Sequence, residues 1–485
     1  MKLLAEPDFA PGFSALLTFN YAFDRTASPS VTQDLPNGIS FSDRIFSEDG
    51  FTSEVRETTV HNYIADLSLD LTDDLTLRSI TSYVDTDLEI LGVQGSPFFS
   101  RDDLRDGGDV SQELVLEIED SGHGLSGLIG AYYGVIEQTT DTDIRADLQA
   151  LAPAFAMFLP PGLTPVQLGT SSTETTSFAL YADLKYNIYG PFSVIGGLRY
   201  QKDKVRQTSD ITGFDLDTFT SFASNFDIEA EFNVFLPSGG LMFEIDDNQT
   251  LSATAKRGYR AGFTESIAGA QNDVDPEFVW TYELAYRYDD DAGLSVGANA
   301  FYSDYSDQQF IRTTPGFRTE TRNAGSSNSY GFEIEGRYAM DNGLSLFGAL
   351  GYLKTEIDSI PFDPTTSPCG AANPTCAGNE FPEAPSITAA VGGTYRHEEG
   401  YFASADVNYT GSYFSNGDLG NTPSREIDGF FLVNASVGYE IEHFRAQIFV
   451  QNLLDNNYLT GINIGGSRGS VGDSRTVGAE LTVSF

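Results

Sequence analysis

Apolar and polar residues alternate along the end of the chain, from Gly429 to Phe485. Every second residue between Phe431 and Tyr439 is apolar or aromatic, and the residues between them are mostly polar or small. The same period recurs from Phe444 to Gln451 and again from Thr476 to the C-terminus. Because side chains of a β-strand point alternately to its two sides, this pattern predicts three successive strands with one apolar face each.

Similar alternating segments follow one another along the whole chain and predict about 18 strands. The first runs from Phe13 to Phe23. Connections between the strands are alternately tight and long. Tight turns are predicted at Thr72–Asp74, Asp120–Gly124, Tyr189–Pro191, Asp246–Gln249 and Asp341–Gly343. Long polar connections are predicted at Asp85–Asp109, at Gln138–Thr173, before Phe226 and at Glu356–Glu383.

One of these long connections carries a short helical pattern. Ile144, Leu148 and Leu151 recur at helical spacing until Pro153 ends the pattern. An apolar group follows from Phe155 to Leu159. It is interpreted as a loop that packs on itself, with a contact surface for an apolar ligand as the alternative.

The composition bears on what surrounds these strands. No segment approaches the roughly 18 consecutive apolar residues of a membrane helix. A membrane protein without such a segment must be a closed barrel, because lipid cannot satisfy open backbone groups. Apolar faces often begin and end with aromatic residues, as from Tyr330 to Tyr338, which is typical of the aromatic girdles of outer-membrane barrels. We therefore predict an all-β, antiparallel transmembrane barrel with short periplasmic turns and long extracellular loops, rather than a soluble all-β protein.

The orientation follows from the connections. The long segment Asp455–Ser474 would lie outside, so Phe485 is expected on the periplasmic side, and an even number of strands places Met1 there as well. The polar faces would line a wet lumen, and they carry Asp183, Lys185, Arg445 and Gln447.

Charge limits the partners. The chain holds 70 acidic and 27 basic residues, a net charge of -43, which excludes nucleic acid as a partner because phosphate contacts need a basic face. Two interpretations of the acidity stay open: a strongly solvated surface, or an acidic lumen or mouth that attracts cations or metal complexes.

The cysteines and the N-terminus add two expectations. Cys369 and Cys376 are the only cysteines, and they lie in one Pro-rich segment. This fits a local disulfide in an oxidising compartment better than a metal site, which would need further ligands. The first residues, MKLLAEPDFAPGF, lack the apolar region of a secretory signal.

Several segments resemble the barrel of TonB-dependent outer-membrane receptors of the iron-complex or siderophore type. They include SQELVLEIED, SATAKRGYRAGF, PEFVWTYELAYR, NAGSSNSYGFEIEGRYAM, FVQNLLDNNY and the final RTVGAELTVSF, and they cover most of the chain after Ser111. The resemblance implies that Phe485 belongs to a signal read by the barrel assembly machinery. It also implies a signal peptide, an energy-coupling box and a plug inside a barrel of about 22 strands. None of these is evident before the first strand, so residues 1–485 are interpreted as one barrel domain, incomplete and without plug or signal peptide, although an intact barrel of about 18 strands is an alternative.

Candidate chemistry is sparse. The four histidines do not pair at ligand spacing, and no metal site or cofactor is predicted. Gly465–Gly469 matches the G-x-S-x-G motif but lacks the strand-to-helix turn that exposes a nucleophile, so no enzyme is predicted. Two acidic clusters, Asp85/Asp87/Glu89 and Asp141/Asp143/Asp147, could coordinate Ca²⁺ but lack the spacing of a dedicated loop and are interpreted as solvated charge.

The segment KRGYRAG stands apart from these. By strand parity, Lys256 and Arg260 would face the lumen near its outer mouth, where two cations could meet an anionic ligand such as a ferric siderophore. The alternative is that they pair with lumen acids.

From the resemblance we expect an outer-membrane receptor of a Gram-negative bacterium that takes up a scarce ligand, an iron–siderophore complex, by energy coupling. A passive porin-like channel is the alternative. Expected partners are membrane lipid and lipopolysaccharide, the barrel assembly machinery, the iron complex, and a TonB-type energy protein if the full-length gene supplies a plug. The identity of the ligand does not follow from the sequence.

Overall fold

The fold is almost entirely β-structure. A computed structural model describes residues 2–7, 9–28, 32–34, 54–91, 99–120, 122–151, 157, 160–215, 220–267, 270–290, 292–313, 319–360, 367, 369–462 and 468–483. Its first strands are β1 Lys2–Ala5, β2 Phe13–Ser28, β3 Thr32–Asp34, β4 Glu54–Thr72, β5 Leu75–Leu91, β6 Phe99–Ile118, β7 Leu125–Asp147, β8 Leu163–Tyr189, β9 Phe192–Asp215 and β10 Thr220–Asp246.

The remaining strands have 2 to 16 residues. They are β11 Gln249–Arg260, β12 Phe263–Ile267, β13 Ala270–Val274, β14 Glu277–Asp289, β15 Leu294–Ser306, β16 Gln309–Thr313, β17 Thr319–Asn323, β18 Ser326–Ala339, β19 Leu344–Ser359, β20 Ile387–Arg396, β21 Tyr401–Thr410, β22 Tyr413–Phe414, β23 Glu426–Ile427, β24 Phe430–Ile441, β25 Phe444–Gln451, β26 Leu459–Ile462, β27 Arg468–Val471 and β28 Thr476–Val483. The helix α1 Leu148–Leu151 and a 3₁₀ turn at Pro423–Arg425 complete the elements. No helix among the described residues has the length and apolarity needed to cross a membrane.

Nineteen of these strands form one antiparallel sheet, in which each strand pairs with the next one along the chain. The sheet contains β1, β2, β4 to β11, β14, β15, β18 to β21, β24, β25 and β28. The prediction of an antiparallel sheet of about 18 strands is therefore confirmed. The smaller strands β3, β12, β13, β16, β17, β22, β23, β26 and β27 all lie within the long connections.

Two details of the start of the sheet differ from prediction. The strand that begins at Phe13 is not the first, because β1 precedes it and pairs with it from Lys2↔Thr18 to Ala5↔Ala15. The described residues form 19 sheet strands, so the even number of strands from which Met1 was placed on the periplasmic side is wrong. Met1 itself, like Phe485, lies outside the described residues.

The two ends of the sheet approach each other at the long-loop end. β27, in the connection before β28, pairs with β3, in the connection after β2, through Arg468↔Asp34 to Ser470↔Thr32. The sheet must curl back on itself for this pairing to form, which is the curvature of a barrel. Along the described residues, β28 pairs only with β25, and the other neighbour of β2 is β1 rather than β28.

From β4 onward, strand length divides the sheet into two parts. The long-strand half, β4 to β10, has strands of 17 to 27 residues. The short-strand half, β11 to β28, has sheet strands of 8 to 16 residues. Three of the predicted long loops are therefore wrong. β5 and β6 fill most of Asp85–Asp109, and β7 and β8 fill most of Gln138–Thr173. Before Phe226, the residues predicted as a loop belong largely to β9 and β10, which pair there.

The loop predictions failed for a physical reason. The outer parts of these strands carry polar residues on both sides, so they lack the apolar alternation that marks a strand in a sequence, while backbone ladder bonds still hold them together. The predicted helical spacing corresponds to α1 only in part, because Ile144 belongs to β7. Phe155, Phe158 and Leu159 lie outside the described residues, and Met157 is exposed.

The apolar faces point outward, as the alternation predicts. On β9 the outward positions from Phe192 to Tyr200 form a band that, at about 3.3 Å per residue and a tilt near 40°, spans roughly 23 Å of membrane. Cross-strand partners on β10 continue the band with Leu241 and Phe235, which are 64% and 58% exposed. Such exposed apolar surface is what a barrel presents to lipid.

Glycines on the inner wall receive aromatic rings from the neighbouring strand. Tyr181 lies opposite Gly130, and a Cβ on that glycine would stand 2.2 Å from the ring. Phe449 has the same relation to Gly478. Further in-register pairs of this kind are Phe301/Gly331, Phe347/Gly392, Phe402/Gly438 and Phe222/Gly213. The rings lie flat against the wall because the glycines leave room for them.

Candidate ligand-binding wall and collar

Lys256 and Arg260 lie on β11 with their side chains exposed. Ala253 of this strand pairs with the outward-facing Leu241, so Lys256, three residues further, belongs to the inner face, as does Arg260. Within the described part of the chain, neither side chain has an acidic partner. Glu277, opposite Arg260 in the ladder, instead accepts a hydrogen bond from the backbone N–H of Gln309 at 2.7 Å. The structure thus places both residues where the sequence predicted, while their role in binding stays a prediction.

The third cation of KRGYRAG has a different position. The Arg257 guanidinium lies over the Phe278 ring at 4.4 Å from its centroid and donates to the carbonyl of Phe235 at 3.4 Å. This arginine therefore ties β11 to β14 and β10, and only two of the three cations are free to meet a ligand.

A cluster that the sequence did not reveal lies on the same inner wall. The Arg199 guanidinium stands over the rings of Tyr132 and Tyr181, at 5.9 and 5.5 Å from their centroids. The Tyr181 hydroxyl donates to Glu113 Oε1 at 2.5 Å, and Arg199 Nε donates to Gln201 Oε1 at 2.8 Å. Polar groups and aromatic rings are thus held in fixed positions against the wall, which suits recognition of a polar ligand that carries rings. The only signal for this cluster in the sequence is that its residues occupy inward-facing positions of their strands.

Next to this cluster, Asp203 is buried and only 3% exposed. It accepts hydrogen bonds from Ser177 Oγ at 2.6 Å and Gln201 Nε2 at 2.9 Å. The hairpin β12–β13 reaches the same wall, because the backbone N–H of Thr264 donates to the side chain of Gln207. The connection after KRGYRAG therefore folds against the inner side of β9.

This hairpin is the first member of a series of interlocked outer loops, which we call the collar. The collar comprises β12–β13, β16–β17 and residues 360, 367, 369–386, 411–429, 452–462 and 468–475. Its first two hairpins are joined by Glu265, which accepts a hydrogen bond from the backbone N–H of Thr321 at 2.6 Å. Asn272 Nδ2 also donates to the Thr321 carbonyl at 3.1 Å, and Asn323 Nδ2 to the Asp275 carbonyl at 2.9 Å.

The cysteine segment forms the centre of the collar. Cys369 and Cys376 are joined by a disulfide. A small apolar core surrounds them, and it consists of Phe310, Ala324, Ile357, Ile360, Cys376 and Leu419, with Cys369 and Phe381 at its edge. Residues of three separate connections meet in this core, so their outer loops fold as one body.

The next contact of the collar is a buried ion pair. Asp418 and Arg425 are 4% and 8% exposed, and Oδ1 and Nη1 are 3.5 Å apart. Burial lowers the pKa of the Arg425 guanidinium. The other oxygen of Asp418 accepts the backbone N–H of Thr422 at 2.8 Å. Arg425 Nη2 donates to the carbonyl of Asn416 at 2.7 Å, so the pair is embedded in hydrogen bonds.

The last connection completes the collar. The backbone N–H of Ile462 donates to Ser415 Oγ at 2.9 Å, which joins β26 to the segment with the buried ion pair. Ile427, Leu459 and Ile462 form a second apolar cluster there. From β26 the contacts continue through β27 to β3.

The acidic clusters, the histidines and the G-x-S-x-G match singled out in the sequence do not form a site among the described residues. The described residues contain no group of three side chains suited to a metal ion. In the acidic clusters, Arg145 pairs with Asp143 at 2.7 Å, and a hydrogen bond with Asp106 raises the pKa of Asp87. His397 lies in the turn between β20 and β21, where its Nδ1 accepts the backbone N–H of Glu399 at 3.2 Å. Gly465–Ser467 of the G-x-S-x-G match lies outside the described residues.

An antiparallel sheet with an outward apolar band, a polar inner wall and large outer loops defines an outer-membrane type of β-barrel. The family model for the β-barrel of TonB-dependent receptor-like proteins matches residues 8–453. The chain belongs to this family, and the resemblance inferred from its sequence is confirmed.

Individual relatives are more distant. The chain is 24% identical to the pesticin receptor of Yersinia enterocolitica over 334 residues, which cover 66% of the chain and 46% of that receptor. The chain thus spans about half the length of this curated relative. The ferric yersiniabactin uptake receptor of Yersinia pestis superposes with a TM-score of 0.81 at 18% identity, covering 100% of the chain and 70% of that structure.

A second solved structure gives the same result. The ferric-catecholate import receptor of E. coli K12 superposes with a TM-score of 0.72 at 15% identity, covering 98% of the chain and 73% of that structure. At such identities the likeness concerns the fold. The relatives are receptors and not enzymes, in agreement with the sequence prediction.

Proposed function

We propose that this chain forms the barrel of a receptor in the outer membrane of a Gram-negative bacterium, and that the receptor takes up an iron–siderophore complex by energy coupling. The observation that carries the proposal is the family match over residues 8–453. The relatives named for ferric yersiniabactin and ferric-catecholate uptake support an iron complex as the ligand.

The ligand would meet the inner wall below the collar. Lys256 and Arg260 supply two cations without acidic partners among the described residues, and Arg199 with its two tyrosines supplies a rigid aromatic surface. Guanidinium and ammonium groups bind the anionic oxygens of an iron–siderophore complex. The rest of the chain is predominantly acidic and would repel such a complex. Energy coupling would act through a TonB-type protein and a plug supplied by the full-length gene product.

The other partners follow from the faces of the barrel. The outward apolar band would contact lipid, and the charged outer strands above it would contact lipopolysaccharide. Phe485, proposed as part of the signal for the barrel assembly machinery, lies outside the described residues.

Uptake of radioactive iron tests the proposal. The full-length gene that encodes this chain is expressed in iron-starved cells without their own siderophore receptors, and a panel of ferric complexes is supplied with and without an uncoupler of the proton gradient. We expect saturable uptake of one complex that the uncoupler abolishes. Uptake that rises linearly with concentration and ignores the uncoupler would instead show a passive channel.

A substitution pair tests the inner-wall cations. Lys256→Gln together with Arg260→Gln should raise the concentration needed for half-maximal uptake by about tenfold, since each lost charge-assisted hydrogen bond weakens binding. Arg287→Gln is the matched control, because Arg287 is exposed, pairs with Asp289 at 3.2 Å and lies near the opposite end of the barrel. Equal effects of the two changes would refute a binding role.

A further inference from the structure

A second group of cations lies on the inner face of β6. Arg101, Asp103 and Arg105 alternate with Leu104, which points outward and is 46% exposed. Val110 is another outward apolar residue of this strand, and the three charged residues lie between it and the outer loop. They therefore face the outer part of the lumen, here called the vestibule, from the side of the long-strand half.

The two arginines converge on one carboxylate. Asp103 is 1% exposed, and its Oδ2 lies 2.6 Å from Arg101 Nη2 and 3.4 Å from Arg105 Nη2. Its other oxygen accepts the hydroxyl of Thr142 on β7 at 3.0 Å. Since both guanidinium nitrogens reach the same oxygen, they lie within about 6 Å of each other although their residues are four positions apart.

One carboxylate cannot neutralise two guanidinium groups. The group keeps one net positive charge, in a chain whose net charge is -43. Nε of Arg101 and of Arg105 is buried and has no hydrogen-bond partner. The two side chains nevertheless stay 36% and 34% exposed, so their remaining donors reach the vestibule.

The surroundings strengthen this charge. Ile90, directly opposite Asp103 on β5, is buried and supplies an apolar neighbour that excludes water from one side. Lipid cannot reach the site, because it lies on the inner face of the strand. An anion that binds here must come from the vestibule.

We infer that Arg101 and Arg105, held together by Asp103, form an oxyanion clamp that contacts carboxylate groups of a soluble ligand as it enters the barrel. Two guanidinium groups a few ångströms apart can each donate to one carboxylate, an arrangement that is favourable in charge and in geometry. Asp103 acts as a positioning residue. The inference rests on the proposed function only for the identity of the natural ligand.

Equilibrium dialysis of radioactive citrate against the purified full chain in detergent micelles tests the clamp. Arg105→Gln is the main variant, because it keeps the shorter Arg101–Asp103 contact and so leaves the buried carboxylate paired. We expect it to weaken citrate binding at least about tenfold. Arg105→Lys should lose less, since it keeps the charge but not the planar fork.

Arg145→Gln is the matched control. Arg145 lies on the neighbouring strand β7 and pairs with Asp143 at 2.7 Å on the opposite face. Its replacement should leave citrate binding within about twofold, and added salt should weaken binding to the unchanged chain. Unchanged binding by Arg105→Gln, or an equal loss with Arg145→Gln, would overturn the inference. Dialysis requires no transport, so a failed uptake assay leaves this result unaffected.

Discussion

The two halves of the sheet build the outer part of the molecule in different ways. In the long-strand half the strands continue outward. On β9 and β10, three cross-strand ion pairs of 2.7 to 2.9 Å cover the outward face, and they are Lys202–Glu231, Lys204–Glu229 and Arg206–Asp227. In the short-strand half the strands end early, and the folded collar replaces them.

The outer strands of the long-strand half and the collar are also stabilised by different interactions. The ion pairs of the long-strand half are exposed and add little to the backbone ladder beneath them. The collar has few ladder bonds to the sheet, but it contains a buried ion pair, a disulfide and two apolar clusters. We therefore expect the outer strands to fray residue by residue from their ends, and the collar to open as a unit.

Breaking the buried ion pair should have the largest effect. Asp418→Ala leaves Arg425 as a buried charge without its partner, which costs about 3–5 kcal/mol in comparable sites. The expected result is opening of the whole collar, measured as faster hydrogen exchange of the Ile462 amide, which donates to Ser415. Asp227→Ala in the long-strand half is the control and should leave exchange in the collar unchanged. Protection of Ile462 in the Asp418→Ala chain would show that the collar does not depend on this pair.

Removing the disulfide should have the next largest effect. The bond closes a short loop with a sequence separation of 7, so its removal should lower the stability of the collar by about 2–3 kcal/mol. In Cys369→Ser with Cys376→Ser, the amides of Ile357 and Ile360 should exchange faster, because they donate to Asn379 and Thr375 of that segment at 2.8 Å. Amides of the β9–β10 ladder should not change. A reductant should have the same effect on the unchanged chain and none on the double variant.

Below the outer regions, the two halves should behave alike. Gly130→Ala and Gly478→Ala each place a Cβ 2.2 Å from an aromatic ring, Tyr181 or Phe449, which must move off the wall. Overpacking of this kind costs about 1–3 kcal/mol, measured by unfolding in urea. Gly108→Ala is the control, since no atom lies within 4 Å of the added Cβ.

A double variant separates the ring contact from backbone effects. In a Phe449→Ala background, Gly478→Ala should cost nothing further, because the ring that it displaces is absent. A full additional cost in that background would assign the glycine requirement to the backbone.

The sequence allowed the barrel to be predicted because lipid imposes one rule on every strand. Outward positions from Phe192 to Tyr200 must be apolar, and this produces the alternation that defines strands, turns and orientation. Outside the membrane this rule does not apply, so the sequence around Lys202 and Glu231 lacks the apolar alternation that would indicate a strand. The collar and the Arg101–Asp103–Arg105 group depend on contacts between distant residues, such as Cys369 with Leu419, which no local pattern encodes. Lys256 and Arg260 could be placed because they directly continue a lipid-facing alternation.

The smallest effect should come from the exposed ion pairs, and pH separates them from the collar. A hydrogen bond from Arg206 lowers the pKa of Asp227, so this pair stabilises the β9–β10 ladder above the unfolded-state value of about 3.9, and the contribution disappears as the pH falls through the lower folded-state pKa. Glu229 raises the pKa of Lys204, whose contribution is complete below about 10.4 and disappears as the pH rises through the higher folded-state pKa. After correction for the intrinsic pH dependence of exchange, the amides of residues 209–215 and 220–227 should therefore keep constant protection from pH 5 to 9 and lose a little protection outside this range. Asp227→Asn should reduce the loss of protection at acid pH, and a high salt concentration should reduce the losses at both ends of the pH range by screening. A steep loss at acid pH in the Asp227→Asn chain would mean that another group controls the outer strands.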